Sequence, residues 1–252
     1  MPGDTTTDPE RRARRAESFG PVADTYDRAR PDYPSVAITD ALGPKRLRVL
    51  DVGAGTGKLT RVVLAAGHEV VAVDPSDQML DVLGRLSPEV ERHVGKAEFL
   101  PVPDHSVDAV VAGQAAHWFD LPVAGTEFAR VLRPGGVVAL LWNVRDDSEE
   151  WIRRYDLLVD MVRSHDRTVP PDLGPRFVPA TLRRYSHEQR LTVDDLVGLA
   201  SSRSYVITST GEERERILAE VRELGESTAQ DDGLVRLRYD LEVWTAGLAP
   251  TE

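Results

Sequence analysis

Short apolar runs alternate with helical patterns through the first half of the chain, and this alternation restricts the possible folds more than any other feature. Four runs rich in Val and Leu are predicted strands, at 47–52, 69–74, 107–113 and 136–143, with a weaker candidate at 91–95. The segments between them with helical periodicity are 57–66, 76–86 and 121–132. Strands that are apolar along their whole length are typical of a parallel sheet covered on both faces. The pattern therefore predicts a doubly wound α/β fold.

After residue 143 the pattern changes. A helix is predicted over 148–165, a proline-rich stretch over 170–179, strands over 180–191 and 234–246, and helices over 193–200 and 212–224. We expect a Rossmann-like, mostly parallel seven-stranded sheet with an antiparallel last strand and a small helical cap. The whole chain, 1–252, is predicted to be a single domain.

Composition limits the class of protein. The chain has 252 residues, 41% of them hydrophobic, and no cysteine, which excludes disulfides and thiolate metal ligands. No apolar stretch approaches the roughly 20 residues of a membrane span, and the N-terminus lacks the apolar region of a secretory signal, so a cytoplasmic protein is expected. The net charge of −11 disfavours a nucleic-acid partner. The histidines show no ligand spacing, so no metal site is predicted.

The sequence "DVGAGTGKLT" (51–60) follows the first predicted strand and has glycines at Gly53, Gly55 and Gly57. This G-x-G-x-G spacing differs from the G-x-G-x-x-G of dinucleotide sites. Asp51 would repel the diphosphate of NAD but attract the ammonium and sulfonium of S-adenosylmethionine. Asp74, at the end of the second strand, can accept hydrogen bonds from ribose hydroxyls in either ligand. The turn therefore favours S-adenosylmethionine as cofactor, with an NAD-dependent oxidoreductase as the alternative.

Four segments carry a resemblance. The sequences "VLDVGAGTGKLT", "VVAVDPSDQML", "VGKAEFLPVPDHSVDAVVAGQAAHWFD" and "RVLRPGGVVALLWN" resemble the ordered motifs of class I S-adenosylmethionine-dependent methyltransferases. The segments "YDRARPDYP", "GQAAHWFD" and "SSRSYVITS" are similar to the small-molecule group that includes trans-aconitate methyltransferase. The resemblance implies an N-terminal arm or lid at 1–40, a donor-binding half at 45–143 and a substrate-side half with the helical cap at 144–252.

The resemblance also assigns residues to the donor. The implied cofactor-binding set is Tyr26, Arg30, Asp51, Gly53, Gly55, Thr56, Gly57, Asp74, Pro75, Met79, Ala97, Glu98, Gln114 and Ala115. Within this set the glycine turn and Asp51 would hold the methionine end, and Asp74 the ribose. Tyr26 and Arg30 belong to the arm, which would fold over the donor. A surface join between helix and loop is the alternative for this arm.

The acceptor side is less defined by sequence. Tyr33, Trp118, Trp142 and Arg203 are candidate substrate-binding residues, and His117 is a candidate general base for a hydroxyl acceptor. Asn143 and Arg145 could also line the acceptor site, whereas Trp151 and Tyr155 are interpreted as core. The predicted activity is methyl transfer to a small molecule, at a carboxylate or a hydroxyl. A non-catalytic S-adenosylmethionine-binding protein and a protein or RNA methyltransferase are alternatives, and both monomer and homodimer remain open.

Overall fold

The computed structural model describes residues 30–159 and 169–250. Its helices are α1 (Ser35–Leu42), α2 (Lys58–Ala65), α3 (Asp77–Leu86), α4 (Leu121–Val131), α5 (Glu150–Leu158), α6 (Val193–Ser201), α7 (Ser204–Thr208) and α8 (Gly211–Thr228). Its strands are β1 (Arg48–Val52), β2 (Glu69–Asp74), β3 (Glu91–Val94), β4 (Val107–Gly113), β5 (Leu132–Arg145), β6 (Thr181–Leu191) and β7 (Val235–Gly247). A 3₁₀ turn, Ala116–Trp118, lies between β4 and α4.

The strands form one seven-stranded sheet in the order β3-β2-β1-β4-β5-β7-β6. The pairs β1–β2, β1–β4, β2–β3 and β4–β5 are parallel, and the last strands are antiparallel. The chain runs outward from β1 through β2 to β3, and then crosses to β4 on the other side of β1. Open α/β sheets bind ligands at the carboxyl ends of the strands where the order reverses in this way. The predicted fold is confirmed, and the reversal lies between β1 and β4.

Contacts divide the chain into two compact units. The first, which we call the sheet unit, comprises Asp32–Val144, Thr168–His187 and Asp240–Glu252. Alternate side chains of its central strands belong to two apolar clusters, one that includes Leu50 and Val110 and one that includes Val49 and Val111. Because both clusters are buried, the central strands are apolar along their whole length.

The second, the helical unit, comprises Met1–Pro31, Arg145–Arg167 and Glu188–Tyr239. Its apolar core joins α5, α6 and α8, with Ile152, Leu196 and Val221 fully buried. A capping box fixes the start of α6, because Thr192 and Asp195 exchange side-chain and backbone hydrogen bonds. None of the helices in the two described ranges is long and apolar enough to cross a membrane.

Most predicted elements of the sheet are confirmed, and the differences have local causes. β5 begins at Leu132 rather than at 136, because the ladder to β4 continues past Pro134 and two glycines through a register shift. α1 was not predicted, since it is short and follows Pro34. The five-residue α7 was also missed. The predicted helix at 148–165 is seen as α5 only to Leu158.

Two expectations fall on parts of the chain that the structure does not describe. Residues 160–168, at the end of the predicted helix, lie outside the described ranges, as do residues 1–29. Tyr26 and most of the predicted arm therefore lie outside them as well. The division of a single domain into 1–40, 45–143 and 144–252 stays a prediction.

Candidate functional site

A glycine turn follows β1 at the reversal of strand order. Gly53, Gly55 and Gly57 all have positive φ, at 70°, 56° and 87°. A Cβ on Gly53 would lie 2.5 Å from the Cβ of Ala115, so a side chain there would force the neighbouring atoms to shift. A Cβ on Gly55 would meet no described atom within 4 Å. The turn is thus closed against the protein at Gly53 and open at Gly55, which leaves its backbone accessible to a ligand.

Asp51 is a fully buried carboxylate on β1, directly below this turn. Its Oδ2 accepts a hydrogen bond of 2.6 Å from the hydroxyl of Thr60. Its Oδ1 has no hydrogen-bond partner among the described residues. Burial raises the pKa of Asp51 to about 7, and the charge of Asp74 adds to the shift. A buried carboxylate in which one oxygen lacks a hydrogen-bond partner costs folding free energy, unless a cation or a hydrogen-bond donor approaches that oxygen.

Asp74 ends β2, beside the glycine turn. Its Oδ2 accepts the backbone N–H of Gly55 at 2.9 Å, and its Oδ1 accepts that of Ser76 at 2.8 Å. Burial raises the pKa of Asp74, while these two hydrogen bonds oppose the shift. A carboxylate offers about four lone-pair positions, so two backbone contacts still leave room for a pair of hydroxyl donors. The side chain both fixes the turn and remains able to bind a diol.

The remaining predicted donor residues of the sheet unit lie on neighbouring segments. Thr56 is buried in the turn, and its carbonyl accepts a hydrogen bond of 2.9 Å from Arg61 Nη1. Met79, on α3, is buried, and Pro75 just before that helix is exposed. Ala97 is buried after β3, and Glu98 accepts the N–H of Asp120 at 2.9 Å.

The loop that carries Ala97 and Glu98 is held by one arginine. Arg130, on α4, donates to the carbonyls of Leu100 and Val102 at 2.9 and 3.0 Å. It also pairs with Glu127, whose Oε2 accepts the N–H of Leu100 at 2.9 Å. The loop is therefore fixed to α4 through its own backbone.

A second segment of the site follows β4. Gln114 has a positive φ of 56°, a conformation that residues other than glycine rarely adopt. Its N–H donates to Leu141 at 2.8 Å, and its Nε2 donates to the carbonyl of Asn143 at 2.9 Å. The next residue, Ala115, is buried against Gly53. Gln114 and Ala115 thus lie beside the glycine turn, as expected for the carboxyl ends of adjacent parallel strands.

The 3₁₀ turn after Ala115 carries His117 and Trp118. Their rings are 4.7 Å apart between centroids and tilted by 44°. Both side chains are partly buried. Trp142, on β5, is also partly buried and packs on the apolar cluster that includes Leu50 and Val110. These three residues are therefore in the unit that contains the glycine turn, and their roles stay predictions.

Sequence reasoning missed His187 as part of this region. Its Nε2 donates to Asn143 Oδ1 at 2.7 Å, while Asn143 Nδ2 donates to the carbonyl of Asp32 at 3.2 Å. Burial lowers the pKa of His187. His187 is far from Asn143 in sequence and lies on an alternating strand, so no local signal marks it.

Three predicted residues lie elsewhere than the turn. Tyr33 is buried in the apolar cluster that includes Val49 and Val111. Its hydroxyl oxygen lies 2.5 Å from the position that a Cβ on Gly113 would take. Arg30 and Arg203 belong to the helical unit, where Arg30 donates to the carbonyl of Ser202 at 3.1 Å. The structure therefore places Arg30 beside Arg203, within the helical unit.

The geometry of the sheet unit fits one class of ligand. The buried Oδ1 of Asp51, which has no partner among the described residues, suits an ammonium group, and Asp74 suits ribose hydroxyls. An anionic diphosphate would meet the carboxylate of Asp51 instead. A Rossmann-like sheet with such a turn at its switch point is typical of the class of S-adenosylmethionine-dependent methyltransferases.

Comparison with known proteins agrees. Residues 50–140 match a family described as a methyltransferase domain. An uncharacterised methyltransferase of Mycobacterium tuberculosis is 44% identical over 211 residues, which are 82% of this chain and 85% of that protein. A second, from Schizosaccharomyces pombe, is 36% identical over 214 residues, 81% of this chain and 84% of that one. A solved structure of a candidate type II methyltransferase from Anaeromyxobacter dehalogenans has a TM-score of 0.69 at 27% identity, over 88% and 99% of the two chains.

The chain belongs to the class I S-adenosylmethionine-dependent methyltransferases, and S-adenosylmethionine is its methyl donor. The assignment of individual donor contacts to Asp51, Asp74 and the glycine turn is a proposal that the geometry above supports.

Proposed function

We propose that the protein transfers the methyl group of S-adenosylmethionine to an oxygen of a small-molecule acceptor, with a carboxylate favoured over a hydroxyl. The observation that carries the proposal is the buried Asp51 carboxylate, whose Oδ1 has no partner among the described residues. The donor supplies an electrophilic methyl group on a sulfonium, and an ammonium that Asp51 can bind. Asp74 would bind the ribose, and the glycine turn would let the donor approach the backbone closely.

The protein's share of the reaction is then orientation. The acceptor oxygen must lie in line with the methyl carbon and the sulfur, in a site from which water is excluded. Orientation of this kind contributes on the order of 7–11 kcal/mol in favourable intramolecular models. Gln114 and Ala115 lie beside the glycine turn and would form the wall next to the methionine moiety. No nucleophile of the enzyme is required.

The preference for a carboxylate depends on whether the acceptor must lose a proton before it is methylated. A hydroxyl acceptor must lose a proton to a base, whereas a carboxylate is already ionised at neutral pH. Of the two imidazoles near the ends of β4 and β5, His187 uses Nε2 to bind Asn143, and His117 packs on Trp118. The resemblance of three segments to the trans-aconitate methyltransferase group also favours an organic acid. The net charge of −11 supports a small molecule over a nucleic acid.

The test is release of S-adenosylhomocysteine across a panel of organic acids, phenols and amines. We expect turnover with acids and a product 14 mass units (about one CH₂ group) heavier that mild alkali cleaves, because methyl esters hydrolyse and methyl ethers or amines do not. Asp51→Asn serves as the control that lacks the donor carboxylate. Turnover confined to amines, or an alkali-stable product, would show that the acceptor is not a carboxylate.

A further inference from the structure

Three arginines of the helical unit meet around two buried tyrosines. Arg145 ends β5 and is 4% exposed, and the ring of Tyr155 lies 5.0 Å from its guanidinium carbon. Arg30 is tied to the carbonyl of Ser202, the residue before Arg203. Tyr239, on β7, is 1% exposed. We call Arg30, Arg145, Arg203, Tyr155 and Tyr239 the arginine cluster.

Several donor atoms of the cluster are buried without a described partner. They are Nη2 of Arg145, Nε of Arg203 and the hydroxyl of Tyr155. Arg145 does pair with Asp156 through Nε, but that carboxylate leaves Nη2 unused. Buried donors in native proteins are nearly always hydrogen-bonded, and each one left unpaired costs about 1–3 kcal/mol. Three such donors on neighbouring side chains indicate a ligand rather than a structural network.

The charges of the cluster also indicate a bound ligand, in this case an anion. Burial raises the pKa of both Tyr155 and Tyr239, so both remain neutral and cannot balance the guanidinium groups. Burial lowers the pKa of Arg203 to about 9, and the charges of Arg30 and Arg145 add to this shift. No described carboxylate pairs with Arg203. The cluster therefore holds positive charge in a low-dielectric place, where an anion would be bound strongly.

We propose that the arginine cluster binds a carboxylate group of a small molecule. Planar guanidinium groups bind planar carboxylates through two parallel hydrogen bonds, and a tyrosine hydroxyl can donate a further one. The proposal rests on the burial and charge of the cluster within the helical unit, and it does not depend on the proposed function. Arg203 and Arg145 were candidates for the acceptor site from sequence; Arg30, Tyr155 and Tyr239 join them here.

The experiment is calorimetric titration of the whole protein at constant ionic strength and neutral pH. The probes are acetate, succinate and citrate, with succinamide as the uncharged analogue of succinate and inorganic phosphate as a different oxyanion. We expect at least one carboxylate to bind and succinamide not to bind. Arg203→Gln should weaken that carboxylate about 10- to 100-fold, the loss expected for a charge-assisted hydrogen-bonded pair.

The matched control is Arg216→Gln, which removes an exposed arginine of the same unit that pairs with Glu220 on α8. It should bind the carboxylate like the wild type. Without ligand, Arg203→Gln should unfold at the wild-type temperature or above it, because the substitution relieves repulsion among buried cations. The carboxylate should raise the unfolding temperature of the wild type, and it should not raise that of the variant. Tyr155→Phe should keep the fold and weaken the same probe.

The inference is overturned if no carboxylate binds, if phosphate alone binds, or if the Arg216 and Arg203 variants weaken binding equally. Titration with S-adenosylhomocysteine in the same samples separates the two proposals. If S-adenosylhomocysteine binds and no carboxylate does, the arginine cluster is not the site and methyl transfer stands. If a carboxylate binds and S-adenosylhomocysteine does not, the site stands and the proposed function fails.

Discussion

Nε2 of His187 lies 2.7 Å from Oδ1 of Asn143, so a residue of β6 is hydrogen-bonded to the carboxyl end of β5. The same asparagine accepts from Gln114 through its carbonyl and donates to the carbonyl of Asp32. Asn143 is 9% exposed, so these bonds are shielded from water. The arrangement fixes the strained backbone of Gln114 beside the glycine turn.

His187 should make stability depend on pH. Burial lowers its pKa, and Asp32 and Asp240 oppose the shift only in part. Between the lowered pKa and the ordinary value of about 6.5, the unfolded histidine binds a proton and the folded one does not. The stabilisation is therefore present above about pH 6.5 and is lost as the pH falls below it.

The variant His187→Gln keeps an N–H near the position of Nε2 and removes the titration. We expect its unfolding free energy to fall less than that of the wild type between about pH 7.5 and 5.5, measured by denaturant unfolding. Part of the slope should remain, because burial also lowers the pKa of His68. An unchanged slope in His187→Gln would contradict the assignment.

Donor binding should depend on the ionisation of Asp51. Its pKa of about 7 in the free protein means that the carboxyl is partly protonated at neutral pH, and a donor ammonium binds the ionised form. The affinity for S-adenosylhomocysteine should rise as the pH increases through about 7 and then level off, with proton release below that pH. Calorimetry in two buffers of different ionisation enthalpy measures both the affinity and the number of protons released on binding.

Asp51→Asn should weaken S-adenosylhomocysteine about 10- to 100-fold and remove this pH dependence. Asp81→Asn, at an exposed carboxylate on α3, changes the net charge equally and should keep both affinity and pH dependence. The same pH profile in Asp51→Asn as in the wild type would assign the proton to another group.

Gly53 and Gly55 of the turn should tolerate alanine differently. Both have positive φ, so alanine at either position should cost about 1–2 kcal/mol of unfolding free energy. Gly53→Ala also brings a Cβ to 2.5 Å from that of Ala115, which should add about 1–3 kcal/mol. Gly55→Ala is the matched variant without this clash. Equal destabilisation in urea would show that Ala115 moves aside freely.

His117 separates the two acceptor classes. If the acceptor is a carboxylate, His117→Ala should mainly raise the KM for the acceptor, and the rate should vary little with pH above the pKa of the acid. If it is a hydroxyl, the maximal rate should fall by roughly 10²–10⁴, and the wild-type rate should fall at acidic pH, where the base is protonated. We expect the first result. Steady-state kinetics of the wild type and the variant from about pH 5.5 to 8.5 distinguish them.

The donor half of the fold was predictable because its signals are local. The glycines and Asp51 are contiguous with β1, and Asp74 directly ends β2, so a pattern of strands places both carboxylates at one edge of the sheet. The partner of Asp51, Thr60, was not predicted as such, because a threonine on the apolar face of a helix resembles any core residue.

The arginine cluster was only partly visible in the sequence. Arg203 and Arg145 were candidates for the acceptor site, and Arg30 was assigned to the donor by resemblance. Tyr155 was interpreted as core from its helical spacing, and it is fully buried as expected. Its unpartnered hydroxyl beside Arg145 depends on contacts between residues far apart in the chain. Helical periodicity reports which face is buried, but it does not report which polar atoms meet there.

Arg130 makes the loop after β3 rigid, and this rigidity should affect the kinetics with which the donor associates. The guanidinium binds the carbonyls of Leu100 and Val102, and Pro101 and Pro103 further restrict the backbone between β3 and β4. A loop ordered in this way before a ligand arrives has no slow rearrangement to complete after the encounter. On this side of the site, association should follow a single phase whose rate constant rises linearly with donor concentration.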